Sequence, residues 1–286
     1  MIKTSIIIAI QNTPSWNEVC LESLIKHTSF EDRELIIIDN GCFDASKRII
    51  EDKSEGIPNK RLIVNSTNNG SYHAWNQGID VAGGENICIC HNDTIFTHGW
   101  LDNLEDFLYN YKDDYREIGI VSPATSYTGE IEYVADIELM NRFSQSLKFS
   151  NKSTISVENI KEIIKILYPD GMSAYSETVR KNRKQNYCFS ENIATFCFLA
   201  KKSLYDRFGK FDDEFYPHTY SEKLLKYHME VAGIKTACCF DSFVFHNGNT
   251  TTDGPGNDIK MIEEMNKSLY EDKMREYYKM ALEKPY

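Results

Sequence analysis

The chain has 286 residues, 41% of them hydrophobic, with 43 acidic against 32 basic side chains and a formal net charge of −11. That apolar content supports a sizeable core and excludes a disordered chain. The acidic balance excludes a nucleic-acid polymer as partner, because phosphate binding needs a basic footprint, but leaves a nucleotide open, since one cation and a few donors neutralise a single diphosphate.

The first element is a strand, Ser5 to Ile10, entered directly from Met1-Ile2-Lys3 with no signal-peptide pattern. Apolar residues then recur at helical spacing from Asn17 to His27, and a second buried strand runs from Glu34 to Asp39. This is a right-handed β-α-β start. A polar helix over Ala45 to Ser54, a short strand at Arg61 to Val64 and a helix over Ser71 to Ala82 follow, the last closed by Gly83-Gly84. Asn86 to Cys90 is a strand running into His91-Asn92-Asp93-Thr94. Leu101 to Tyr111 reads as a helix, and Ile118 to Val121 as a strand before Pro123. The apolar runs are short and β-branched, and each ends in polar residues, which places those residues at the carboxyl ends of parallel strands, where open α/β sheets bind ligands.

From about 126 to 192 the pattern lapses into polar, Ser- and Lys-rich sequence with one helix at Val157 to Leu167. It reads as an insertion shaping the acceptor side. Its cluster Arg180-Lys181-Asn182-Arg183-Lys184 suits either an acceptor phosphate or, as charge runs more often do, a solvated face. Residues 258 to 282 form an amphipathic helix with a mixed Glu/Lys polar face, suited to packing on the main domain or on a second subunit. The expected organisation is a main domain over 1–252, with a nucleotide-binding half at 1–100 and an acceptor half at 101–252, followed by a helical extension at 253–286. The eight cysteines show no metal-knuckle spacing and read as reduced; Cys88 and Cys90 share one strand face as small apolar side chains. No apolar run approaches the ~20 residues that cross a bilayer. The expected location is the cytoplasm, with peripheral contact at the inner membrane face left open.

Asn68, Gly70, Ala74, Asn76 and Gly78, then Asn92-Asp93-Thr94 and Gly99-Trp100-Leu101, then Gly209-Lys210-Phe211-Asp212, Ala232-Gly233 and Phe245-His246-Asn247-Gly248 together make a recognisable order. In it the chain resembles the inverting GT-A glycosyltransferases of family two, particularly rhamnosyltransferase-like members. The resemblance covers roughly the first hundred residues and about 195 to 250. It implies a mostly parallel, Rossmann-like nucleotide-diphospho-sugar sheet with flanking helices.

Such an enzyme must hold a base, offset charge on a departing diphosphate and deprotonate an acceptor hydroxyl. The resemblance puts Asp39 on a uracil or thymine imide; the residues themselves equally allow a turn cap through Asn40-Gly41. Ala9, Gln11, Asn68, Gly70, Asn76 and Asn92 fall on the donor side. Asp93, just past a strand end, suits Mn²⁺ or Mg²⁺ bridging the phosphates. The family's first motif acid is replaced by His91, which can still ligate, and His246 matches a histidine that often completes the metal or phosphate shell. Taken alone, a histidine after a strand is more often structural. The loop Asn249 to Thr252, with Gly254-Pro255-Gly256, offers a segment to close over the donor. Counting back from Gly233 places Ser221-Glu222 where the family carries Glu-Asp, so Glu222 takes the position of the base, or else it is an ordinary first-turn acid. Leu224 replaces a later family acid.

Two functions follow. One is a cation-dependent inverting glycosyltransferase moving a sugar from a UDP- or dTDP-sugar to a saccharide or lipid-linked hydroxyl in surface glycan synthesis, with oligomerisation open through the C-terminal helix. The other is a non-catalytic sugar-nucleotide or glycan-binding module, which the departures at His91 and Ser221 keep in play.

Overall fold

The computed structural model describes residues 2–111, 117–128, 131–139, 141, 154–182, 185–248 and 259–283. Its strands are β1 (Thr4–Ile10), β2 (Arg33–Asn40), β3 (Lys60–Asn65), β4 (Asn86–Cys90), β5 (Thr94–Phe96), β6 (Glu117–Ala124), β7 (Tyr187–Ser190), β8 (Cys197–Lys201) and β9 (Ile234–His246). Its helices are α1 (Pro14–Lys26), α2 (Asp44–Ser54), α3 (Ser71–Val81), α4 (Trp100–Asn110), α5 (Val157–Leu167), α6 (Met172–Asn182), α7 (Lys202–Phe208), α8 (Ser221–Val231) and α9 (Ile259–Glu283).

The strands form one sheet in the order β3-β2-β1-β4-β8-β6-β9-β5, with β7 also on β9. The β3-β2-β1-β4 half is entirely parallel, as the β-α-β reading requires. β8 enters antiparallel between β4 and β6, while β6 and β9 are parallel to each other. Side chains alternate across the strands with period two. Ile6, Ile8, Ile10, Leu35 and Ile37 face a core closed by α1 and α4, and Ile7, Ile36, Ile38, Ile87 and Ile89 face a second core closed by α3, α7 and α8. Both faces are covered, so the strands read as continuous apolar runs.

Three differences from the sequence reading have physical causes. β6 continues through Pro123 to Ala124 because its pairing with β9 slips at that point; such a bulge is where a strand tolerates a residue with no N–H. The 126–192 region carries more regular structure than the one helix its sequence suggests. It supplies α5, the unexpected helix α6 and the strand β7, and it buries Ile160, Leu167, Tyr168 and Val179 in the main core, with Tyr168 and Tyr175 edge-on to Phe243 of β9. Within it Arg180 and Lys181 are exposed and Lys181 pairs with Glu177 at 3.5 Å, the arrangement of a solvated face; Arg183 and Lys184 lie outside the described residues. Finally, Cys88 and Cys90 are buried as expected, but Cys197 of β8 joins them, its Sγ 3.6 Å from that of Cys90.

α9 packs on the main domain through Tyr270 against Tyr220 and Tyr277 against Tyr227. Among the described residues no helix is long and apolar enough to cross a membrane.

At the amino ends of the strands, the buried Glu105 of α4 binds Arg33 twice (3.2 and 2.8 Å), Lys3 at 2.6 Å and the Thr4 hydroxyl at 2.6 Å. Burial alone would raise this carboxyl, but the bonds from Arg33, Lys3 and Thr4 outweigh it and hold it below its usual 4.5. A carboxyl depressed in the folded state stabilises above its unfolded pKa, and that contribution is lost as the pH falls through the folded value. Glu105→Ala, which leaves the buried Arg33 only the exposed Asp102 at 2.5 Å as carboxylate partner, should cost up to about 3 kcal/mol at pH 7, the lower end for breaking a buried pair. In urea unfolding the gap between wild type and variant should narrow as the pH is taken from 5 to 3; a gap independent of pH contradicts the assignment.

Candidate active site

The motif over Asn68 to Gly78 is revealed as the device that seats α3 against the carboxyl end of the sheet. Gly70 sits at φ 84°, and a Cβ there would stand 3.0 Å from the Pro217 carbonyl. Asn68 Oδ1 accepts from the Gly70 N–H and from Asn40 Nδ2, both at 2.9 Å. A Cβ on Gly78 would meet Ile7 at 2.6 Å, so α3 lies closer to β1 than any larger residue permits. Asn76 spends its amide on the Phe211 backbone, donating to the carbonyl at 2.7 Å and accepting from the N–H at 3.1 Å. These two bonds clamp α3 to the segment leading to α8.

Asn92 is buried, and its amide donates to Thr13 Oγ1 at 3.0 Å and Asn17 Oδ1 at 2.6 Å, bonds that fix the turn after β1. In that turn Asn12 and Thr13 both hold left-handed backbone, φ 52° and 55°; Asn12 tolerates this but Thr13 is a β-branched exception. Ala9 and Gln11, beside it, are half-buried at the end of β1. Asp39 ends β2, where its Oδ1 accepts from the Cys42 N–H at 2.8 Å. The turn role is therefore present, and it engages one carboxylate oxygen.

β4 stops at Cys90, and the chain turns so that β5 pairs antiparallel with β9, setting Thr94 opposite His246. The Asn247 N–H donates to the Asp93 carbonyl at 3.0 Å, and the His91 N–H to the Phe196 carbonyl at 2.7 Å. These bonds bring three sequence-distant groups together. His246 Nε2 lies 3.5 Å and His91 Nδ1 3.9 Å from Asp93 Oδ1, and the ligating atoms of the trio are all within 4.8 Å of one another. His246 Nδ1 is 2.8 Å from the Tyr127 carbonyl, a contact that assigns the proton to Nδ1 and turns the lone pair of Nε2 toward Asp93. Phe196 stacks on His246 and Trp75 on His91. Burial pushes His91 down to about 4, against the opposing pull of Asp93, so the ring is neutral at pH 7 and its lone pair is available. One carboxylate and two imidazoles fit a divalent cation that accepts nitrogen as well as oxygen, Mn²⁺ better than the oxygen-preferring Mg²⁺.

Glu222 opens α8. Its Oε2 accepts from the phenol of Tyr72, and burial together with Glu222 raises the Tyr72 pKa well above its usual value, so the proton stays on the phenol. Tyr72 is edge-on to Trp75 at 5.5 Å, and Trp75 is stacked on His91 at 5.9 Å. An aromatic wall thus runs from the carboxylate to the histidine. Ser221, in the position of the missing acid, accepts from the Asp212 N–H at 2.6 Å.

Trp75, Tyr127, Phe196 and His218 escaped the sequence reading. Trp75 sits inside the motif among residues that drew the reading to their polar groups, and Tyr127 lies where the pattern lapses. His218, whose charge would oppose protonation of His91, carries no local sequence signal. The loop Asn249 to Thr252 and Gly254-Pro255-Gly256 lie outside the described residues.

The pattern described as Glycosyl transferase family 2 matches residues 5–153, more than half of the chain. The chain belongs to that family. It is 28% identical over 176 residues to the glycosyltransferase GlyG of Streptococcus pneumoniae serotype 4, a match covering 57% of each chain. It is 26% identical over 190 residues to the minor teichoic acid biosynthesis protein GgaB of Bacillus subtilis, covering 66% of this chain and 19% of that one. The chain therefore spans little more than half of one relative and a fifth of the other. Among solved structures, the mannosyltransferase PcManGT of Pyrobaculum calidifontis, in complex with GDP-Man and Mn²⁺, superposes with a TM-score of 0.55 at 14% identity, covering 86% of this chain and 56% of that one. S. aureus TarS 1–349 gives 0.55 at 13%, covering 86% and 60%. Both likenesses are of fold, and the fold is GT-A.

Asp93→Ala removes the oxygen shared by both histidines. Binding of Mn²⁺ in the presence of UDP, followed by the electron spin resonance signal of free Mn²⁺, should weaken by at least ~10-fold, the lower end of what even an outer-shell change costs a metal site. Wild-type affinity in the variant rules the trio out as a cation site.

Proposed function

We propose that this protein is a cation-assisted inverting glycosyltransferase that moves a sugar from a nucleoside-diphosphate donor to a hydroxyl of a saccharide or lipid-linked acceptor. The convergence of His91, Asp93 and His246 at the carboxyl ends of the strands, with Trp75 of α3 stacked on His91, carries the reading. Fold neighbours that bind a nucleotide together with Mn²⁺ support it: PcManGT with GDP-Man, and GalNAc-T7 with UDP and GalNAc. The relative named for teichoic acid biosynthesis supports a cell-surface polymer as the acceptor class.

In this reading Asp93, His246 and His91 hold Mn²⁺, which when bound offsets the negative charge that gathers on a diphosphate leaving group. Glu222 takes the proton of the acceptor hydroxyl, and the acceptor oxygen attacks the anomeric carbon in line. The bond from that carbon to the diphosphate breaks with its electron pair on the leaving oxygen, so configuration inverts. Tyr72 orients the base by donating to one of its oxygens. Asp39 accepts the imide N–H of uracil or thymine while keeping its turn contact, which favours UDP- or dTDP-sugars.

Release of free UDP or dTDP from the corresponding sugars, with Mn²⁺ and a panel of saccharide acceptors, tests the reading. No release, with donor still bound, would leave a binding module in its place. Given release, Glu222→Gln should reduce turnover by about 10²–10⁴-fold, the usual contribution of a general base, while the Kd for UDP with Mn²⁺ stays within a factor of two. Near-full turnover in the Gln variant moves the base elsewhere, with Asp212, Asp213 and Glu214 the next acids to test.

A further inference from the structure

The turn that delivers Glu222 is held in an unfavourable backbone. Thr219 and Tyr220, immediately before α8, both adopt left-handed φ, 75° and 78°. Thr219 is β-branched, and such residues keep this conformation only where their surroundings dictate it. On one side the turn touches the donor-side loop: the Ser71 N–H donates to the Pro217 carbonyl at 2.8 Å, and Gly70 packs against the same residue. On the other side it is held by α9. Asn266 is 5% exposed on a helix most of whose polar residues face solvent. Its Nδ2 donates to the His218 carbonyl at 2.6 Å, with the Tyr216 carbonyl and Thr219 Oγ1 at 3.4 Å. Two helical turns further on, on the same face, Lys273 binds Asp212 and Glu214, each at 2.8 Å.

We propose that Asn266 is a positioning residue of the active site. By donating to the 216–219 turn, it fixes the strained backbone that sets Glu222 against Tyr72 and joins the donor-side loop to the acid-bearing helix. The C-terminal helix is then a working part of the site, not an appendage. The inference rests on the reading of Glu222 as base. Its physical basis is the cost of leaving the His218 carbonyl without its donor next to two residues whose conformation needs outside support. Without Asn266 the turn relaxes, and Glu222 leaves the geometry in which a misplacement of about 1 Å can cost ~100-fold in rate.

The test uses the full chain. Asn266→Asp keeps shape and volume but removes both N–H donors, Asn266→Ala removes the side chain, and Met265→Ala alters the exposed neighbour. Both Asn266 variants should exchange the amide hydrogens of residues 218–224 at least tenfold faster than wild type, with β1 and β4 unchanged. Both should also lose at least tenfold in kcat for UDP release while keeping the Kd for UDP with Mn²⁺ within twofold; Met265→Ala should behave as wild type. Wild-type exchange in Asn266→Asp overturns the proposal, as does a fall in UDP affinity that matches the fall in kcat. If wild type releases no UDP, the glycosyltransferase reading fails, and the exchange measurement still decides whether Asn266 holds the turn.

Discussion

The candidate site depends on a three-residue ladder. β5 pairs with the last residues of β9, Thr94 opposite His246 and Phe96 opposite Val244, and this pairing brings the end of the fourth strand to the end of the ninth. Because side chains alternate along strands, a slip of one residue in this pairing would send His246 to the other face of the sheet. The register is held at both ends: Asn247 donates to Asp93, and Thr97 Oγ1 donates to the Phe243 carbonyl at 2.6 Å. A short antiparallel element is a sound way to hold such a register, since its hydrogen bonds are perpendicular to the strands and closely paired.

Much of the amino-terminal half was legible in the sequence because its signals are local. A buried parallel strand needs a run of β-branched residues, and Ile6 to Ile8 and Leu35 to Ile38 supply them with polar residues at each end. Helix α1 follows Pro14, suited to a first turn. The trio of His91, Asp93 and His246 was legible too, as a pattern of residue types matched to a family, although only the fold shows that 153 positions of intervening chain return to within hydrogen-bonding range. Less was legible after 126. There α6 lacks a strong apolar stripe and buries Val179 alone, and β7 is four residues of half-exposed sequence whose partner, β9, lies some fifty positions away. Such elements exist because of tertiary contacts, and propensity carries little trace of them.

The motif asparagines show a different limit. Asn68, Asn76 and Asn92 are amides at places where a ligand would be expected, and their residue type fits a donor site. In the structure Asn76 bonds the Phe211 backbone, Asn68 the Gly70 N–H and the Asn40 amide, and Asn92 the side chains of Thr13 and Asn17. An amide has two donors and an acceptor, so it is equally good at closing a turn, and sequence alone does not say which partner it finds. Asn40, Asn65 and Gln77 extend this into a buried polar chain that stiffens the floor under the donor loop.

The aromatic seam between α6 and β9 bears on how this chain could be rebuilt. Tyr168 lies edge-on to Phe243 and Phe245, Tyr175 edge-on to Phe243, and Phe245 is stacked with Trp16 of α1. The polar middle of the sequence therefore presses on the back of the strand that ends in His246. Exchanging that stretch for the equivalent piece of a relative would not be a change of loops on a fixed platform. A chimera would have to carry matching aromatic side chains on both parts, or the histidine would inherit the misfit.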